Sequence, residues 1–252
     1  MTSKVEGEFI ELEVTERRII MYLPIEYKLD AERIFPVVFL HDGDFLFRES
    51  IDVIEQNVRA GVTEPVVFVG IESEKRNDEY TPWEQEALFG NWSFSGKGDV
   101  YLESIYQTIV PYVQKHFRIS SEARNMALGG VSLGGLISLY AMYRTENIFK
   151  NFILISASLW FKDFIPFMKD SLLADDLNIY MYVGEREGMK KSNAQKCMVP
   201  NNKIAYHILQ EASSDPNKSI KFETDPLGTH EDSFFLQYFP NSIKFLFPAL
   251  KD

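Results

Sequence analysis

Five short runs in this chain are almost wholly apolar and rich in β-branched and aromatic residues: "PVVFLH" from Pro36, "PVVFVGI" from Pro65, "MALGG" from Met126, "FILISAS" from Phe152 and "IYMYVG" from Ile179. Strands that are apolar on both faces belong to a sheet covered on both sides, and such sheets are mostly parallel. Helical patterns lie between the runs. Leu102, Ile105, Ile109 and Val113 recur at spacings of three and four, a stripe interrupted by Pro111, and the stretch after Ser132 is apolar nearly all round. Two earlier runs, Phe9 to Val14 and Arg18 to Leu23, read as an antiparallel hairpin. "SIKFET" reads as a last strand and "DSFFLQYFPNSIKFLF" as a last helix, bent at Pro240. The expectation is an α/β fold with a mostly parallel, doubly wound sheet, whose ligand site lies beyond the carboxyl ends of the strands.

No repeat or linker divides the chain, so residues 1–252 are expected to form one domain. A hydrophobic content of 45% supplies a sizeable core. A formal net charge of −11 argues against nucleic-acid or anionic-membrane partners, which require a surplus of Lys and Arg. Cys197 is the single cysteine, so no internal disulfide can form. The N-terminus lacks an apolar leader core and no window reaches spanning length, which points to a cytoplasmic protein.

Gly130-Val131-Ser132-Leu133-Gly134 fits G-x-S-x-G, with a buried strand before it and a buried helix after it. That context is a nucleophile elbow, a sharp turn that lifts the serine oxygen clear of the sheet; the positions two before and two after the serine crowd each other there. A serine hydroxyl needs a base. Of the four histidines, His116 and His207 fall inside helical patterns, and His41 ends a strand. His230, in "DPLGTHEDSFF", follows the last strand, where this fold delivers its base. The acid is expected after a strand between these two. "IYMYVGEREG" offers Glu185 and Glu187, of which Glu187 is preferred because two or three residues of turn are needed to reach back toward the histidine.

Two backbone N–H groups are needed for an oxyanion, one from Leu133 and one from Asp44 in "FLHDGDFLF". His41-Asp42-Gly43-Asp44 lacks the alternating oxygen ligands of a calcium loop and has no H-E-x-x-H partner, so no metal is expected, nor any cofactor. In the charged and aromatic segment Glu72 to Trp92, Tyr80, Trp83 and Trp92 have two readings: they wall an acyl or alcohol pocket, or they pack the loop down.

In these stretches, together with "RNDEYTPW", "GKGDVYLESIYQTIVPYV", "GGVSLGGLISLYAMYR" and "ISASLWF", the chain resembles the esterase D and enterochelin-esterase-like family of α/β-hydrolases, from about Arg18 to Phe247. The resemblance implies an α/β-hydrolase fold and a Ser132-His230-Glu187 triad with oxyanion amides at Asp44 and Leu133. It implies hydrolysis of a small-molecule ester: acetyl, feruloyl, siderophore trilactone or S-formylglutathione. The family's commoner acid is aspartate, so the two glutamates depart from its pattern. An acyltransferase on the same triad and a non-catalytic hydrolase-fold binding protein are the rival readings. Arg48, Lys75, Arg76 and Lys97 flank the expected pocket among Glu49, Glu72, Glu74, Asp78 and Glu79. With little local surplus of cations, small neutral acyl esters are expected to be better substrates than an iron-loaded trilactone.

Overall fold

The computed structural model describes residues 5–88, 93–144, 148–174 and 176–249. Strands β1 (Glu8–Val14) and β2 (Arg17–Leu23) form the expected N-terminal hairpin, and β2 joins it antiparallel to β4 (Val67–Ile71). The remaining pairs are parallel and involve β3 (Val37–His41), β7 (Met126–Val131), β8 (Asn151–Ile155), β9 (Asn178–Gly184) and β10 (Ile220–Asp225). Together they make an eight-stranded sheet in the order β1-β2-β4-β3-β7-β8-β9-β10, with β1 and β10 at its edges. A separate two-stranded ribbon pairs β5 (Glu84–Gln85) with β6 (Phe94–Ser95).

The apolar runs are buried on both faces because successive side chains enter different cores. Val37, Phe39 and Leu128 pack on one side with the helices Gly98–Ser104, Leu133–Met142 and Met198–Ala212. Val38, Leu40 and Ala127 pack on the other with the helices Phe45–Arg59 and Asp232–Leu246. No helix among the described residues is long and apolar enough to cross a membrane.

Both prolines flagged in helical patterns are accommodated without ending the helix. Pro111 has no N–H for the carbonyl of Gln107 and would crowd it in a regular α-helix. The turn before it is wider, a π-helical stretch Ile105–Ile109 that leads into the α-helix Val110–His116. Pro240 lies inside Asp232–Leu246, and the carbonyl of Leu236, four residues back, accepts a hydrogen bond from Ser50 Oγ at 3.4 Å. A side chain of the neighbouring helix thus takes the place of the missing amide.

Candidate active site

Ser132 stands between the last residue of β7 and the helix Leu133–Met142, with φ 59° and ψ −116°. A positive φ on a non-glycine residue costs about 1–3 kcal/mol and persists only where the surroundings enforce it. Here the backbone enforces it. Ser132 N donates to Ile155 O at 3.0 Å, while Ser132 O accepts from Leu136 N at 3.0 Å and Ser158 N at 2.9 Å. The glycines permit the turn's tightness, since a Cβ on Gly130 would lie 2.9 Å from the carbonyl carbon of Gly134.

His230 lies in the loop between β10 and the last helix, with its Nε2 3.1 Å from Ser132 Oγ and its Nδ1 2.7 Å from Glu187 Oε2. The other carboxylate oxygen, Glu187 Oε1, accepts from Ser156 Oγ at 2.6 Å and from Gly184 N at 2.9 Å. Glu187 is therefore buried but fully partnered. Its acceptor beside Nδ1 sets the tautomer with the proton on Nδ1, leaving Nε2 to accept from Ser132. Close approach of two turns makes this geometry possible: a Cβ on Gly184 would fall 2.4 Å from the carbonyl carbon of Gly228. Glu185 stays outside, on the exposed side of the turn, where it accepts from Thr224 Oγ1 at 3.0 Å.

Leu133 is the first residue of its helix, so its N–H has no intrahelical acceptor. Asp44 stands at the first position before the helix Phe45–Arg59, three residues past the end of the neighbouring strand β3, and its carboxylate pairs with Arg48 rather than capping the helix. Among the described residues no cluster of His, Cys, Asp and Glu could hold a metal ion. His41 is instead buried, with Nδ1 2.8 Å from Tyr101 Oη. Burial first, then the charges of Arg76 and Arg17, push its pKa down to about 3. Asp42 is held by Arg76 through bonds of 2.6 and 3.0 Å. His116 and His207 are exposed on helices, as their patterns suggested.

Of the two readings of the aromatic segment, packing is the one seen for Tyr80 and Trp83. Tyr80 is fully buried beneath the site, where its hydroxyl accepts from Asp42 N at 2.9 Å. Trp83 donates to Lys162 O at 3.0 Å and packs among aromatic rings, with its centroid 6.0 Å from that of Phe164 and 5.6 Å from that of Phe167. Trp92 lies outside the described residues. Two clefts border Ser132. One, of about 310 Å³, is walled by Leu88, Phe94, Leu133 and Trp160. The other, of about 200 Å³, is bounded by Gly188, Lys191, Gln195, Met198 and His230.

Three contributors escape the sequence reading: Ser156, which holds Glu187; Ser158, whose Oγ is 3.1 Å from Ser132 Oγ; and Trp160, which borders both clefts. All fall in "ISASLWF", which overlaps the end of a run read as a strand and otherwise entered only as part of the resemblance, with no role given to these residues. The available signal was small polar residues directly after an apolar strand, at the end of the sheet where sites form.

The family model described as "Putative esterase" matches residues 13–246. The uncharacterized protein YbbA of Bacillus subtilis is 29% identical over 245 residues, 96% of this chain and 97% of that protein. A siderophore triacetylfusarinine C esterase of Aspergillus fumigatus is 29% identical over 138 residues, 50% of this chain and 44% of that protein. The crystal structure of an IroE-like serine hydrolase from Shewanella oneidensis aligns with a TM-score of 0.77 at 21% identity, over 96% of this chain and 80% of the other. At that identity the likeness shows the fold, which is the α/β-hydrolase fold. The family match runs from β1 through the last helix, across every element that carries Ser132, Glu187 and His230, and the chain belongs to this esterase family as a carboxylic ester hydrolase.

Proposed function

We propose that the chain is a serine esterase in which Ser132 attacks the ester carbonyl, His230 takes up and returns the proton, and Glu187 holds the imidazole. The supporting observation is the continuous chain of short polar contacts from Ser132 Oγ through His230 to Glu187 at a strained strand-to-helix turn. In acylation the Ser132 proton passes to His230 Nε2 as the bond from Oγ to carbon forms. The carbonyl electron pair moves onto oxygen, toward the N–H groups of Leu133 and Asp44. The proton on Nε2 then goes to the departing alcohol, which must lie on the histidine side, in the cleft with Gln195 and Met198. The acyl group takes the cleft of Leu88 and Phe94. Water repeats the sequence on the acyl-enzyme, releasing the acid and restoring Ser132.

The preferred substrate in this reading is a small neutral acyl ester. Arg48 and Arg76, two of the cations flanking the site, are compensated by Asp44 and Asp42, and the net charge of −11 repels anions. A siderophore trilactone is the second reading, favoured by the similarity to the fungal siderophore esterase. Measuring kcat/KM for p-nitrophenyl acyl esters and for a ferric catecholate trilactone, each at low and high salt, decides between them. The expected result is a higher value for the acyl esters. A higher value for the ferric trilactone that falls as salt rises would reverse the assignment. Partitioning of the acyl-enzyme toward added alcohols rather than water would make the chain an acyltransferase.

A further inference from the structure

We infer that Ser158 is a catalytic residue, whose hydroxyl donates a hydrogen bond to Ser132 Oγ and stabilises that oxygen whenever its bond to the acyl carbon is forming or breaking. The inference rests on the role proposed above for Ser132. The two oxygens are 3.1 Å apart, and Ser158 is fully buried. It stands just past β8, the strand adjacent to β7, so it meets Ser132 across the sheet rather than along the chain.

A count of protons sets the direction of this bond. Ser132 Oγ carries one proton. His230 Nδ1 is engaged by Glu187, so Nε2, 3.1 Å from Ser132 Oγ, is the acceptor for that proton. The contact with Ser158 must then be made by the proton of Ser158. During attack, Oγ loses its proton to Nε2 while the bond from Oγ to carbon forms, and Ser158 keeps its own proton throughout. During deacylation, water adds to the acyl carbon and gives a proton to Nε2. The bond from carbon to Oγ then breaks, its electron pair stays on Oγ, and the proton on Nε2 moves to it. At both moments Oγ bears more negative charge than in the resting hydroxyl. A hydrogen bond to a charged oxygen is stronger than one to a neutral oxygen, so the Ser158 bond strengthens on the way to the transition state.

The hydroxyl is not what holds the elbow. Ser132 O accepts from the amides of Ser158 and Leu136, and Ser132 N donates to Ile155 O. An alanine at 158 keeps all three bonds. Packing alone therefore gives no reason for Ser158→Ala to slow the reaction.

The test compares Ser158→Ala, Ser158→Thr and Ser132→Ala with the parent in the full chain, using p-nitrophenyl acetate and a fluorophosphonate probe. For Ser158→Ala, kcat/KM and the rate of fluorophosphonate labelling are expected to fall together by about 10- to 100-fold. The acid limb of the pH profile should stay in place, because the contact of His230 with Glu187 is untouched. Should Ser158→Ala also lower the melting temperature, Ser158→Thr, which keeps the hydroxyl, must recover most of the rate. Unchanged rates in Ser158→Ala beside an inactive Ser132→Ala overturn the inference and leave the serine mechanism standing. So does a shifted acid limb, which would mean that Ser158 acts by moving His230. Full turnover by Ser132→Ala would instead remove the serine mechanism on which the inference rests.

Discussion

The three central strands β3, β7 and β8 end differently from the way they begin. Asp42, Ser132 and Ser156, the residues directly after their last positions, all have positive φ, at 64°, 59° and 47°. None is a glycine. At the other end of the same strands the chain is relaxed. Phe35 N bonds Arg118 O at 3.0 Å, and Asn151 Nδ2 bonds Arg124 O at 2.7 Å and Met126 O at 3.2 Å. No positive φ occurs there among the described residues. One end of the sheet thus stores strain where Ser132 and the serine under Glu187 are presented, and the other end supplies ordinary hydrogen bonding that helps support it.

The largest expected effect concerns the strained end. Ser132→Ala should lower kcat by about four to six orders of magnitude while leaving the far-ultraviolet circular dichroism of the chain unchanged. Comparable turnover in the purified variant would break the division between the two ends outright. Next comes Glu187→Gln, expected to cost about 10²- to 10⁴-fold in kcat, because the amide cannot stabilise a protonated imidazole as a carboxylate does. Glu185→Gln should stay within about threefold of the parent, since surface substitutions act weakly. Reversed sizes would place the acid two residues earlier.

The third prediction is for the relaxed end. Asn151→Ala should reduce stability by about 2 kcal/mol in a denaturant titration, by stranding buried backbone acceptors, with kcat unchanged. A large loss of kcat without loss of stability would show that the two ends are not separate.

The smallest effect sharpens the contrast through His41, the last residue of β3. Its pKa is about 3 in the folded protein against about 6.5 for an unperturbed histidine. Between these values the unfolded chain binds a proton that the folded chain does not, so stability rises with pH across that window. Acidification from pH 6 to 5 should therefore cost the parent about 1 kcal/mol more than it costs His41→Gln. Parallel curves of stability against pH would indicate that His41 protonates inside the fold.

In the candidate site, the residues that the structure brings together could be picked out of the sequence where the signal lies along the chain, and not where it is assembled across strands. Ser132 declares itself through glycines and flanking apolar runs, and His230 and Glu187 through their positions after strands. Ser156 and Ser158 join the site because β8 lies beside β7, a pairing that local pattern does not state. Tyr80 and Trp83 were left between two readings for the opposite reason. A loop rich in aromatics announces that its rings will be buried, but the partners, Asp42 for one and Phe164 for the other, come from distant segments. The fold was easier to read because the burial of the five central strands on both faces is written within each strand itself.

The sheet's open edges bear on how copies of the chain behave toward one another. An edge strand offers unpaired amides and carbonyls to any other strand that approaches. Here one edge, β1, carries exposed Glu8, Glu11 and Glu13, and the other, β10, carries Glu223 and Asp225 beside Lys221. Two copies brought together at β1 would have to fit a row of charged groups, Glu8 with Lys28, Glu11 with Arg18, and Glu13, between molecules that already repel through a charge of −11. The adhesive rim of an otherwise greasy sheet is guarded by charge, and exchanging those carboxylates for neutral side chains is the change under which the rim would begin to stick.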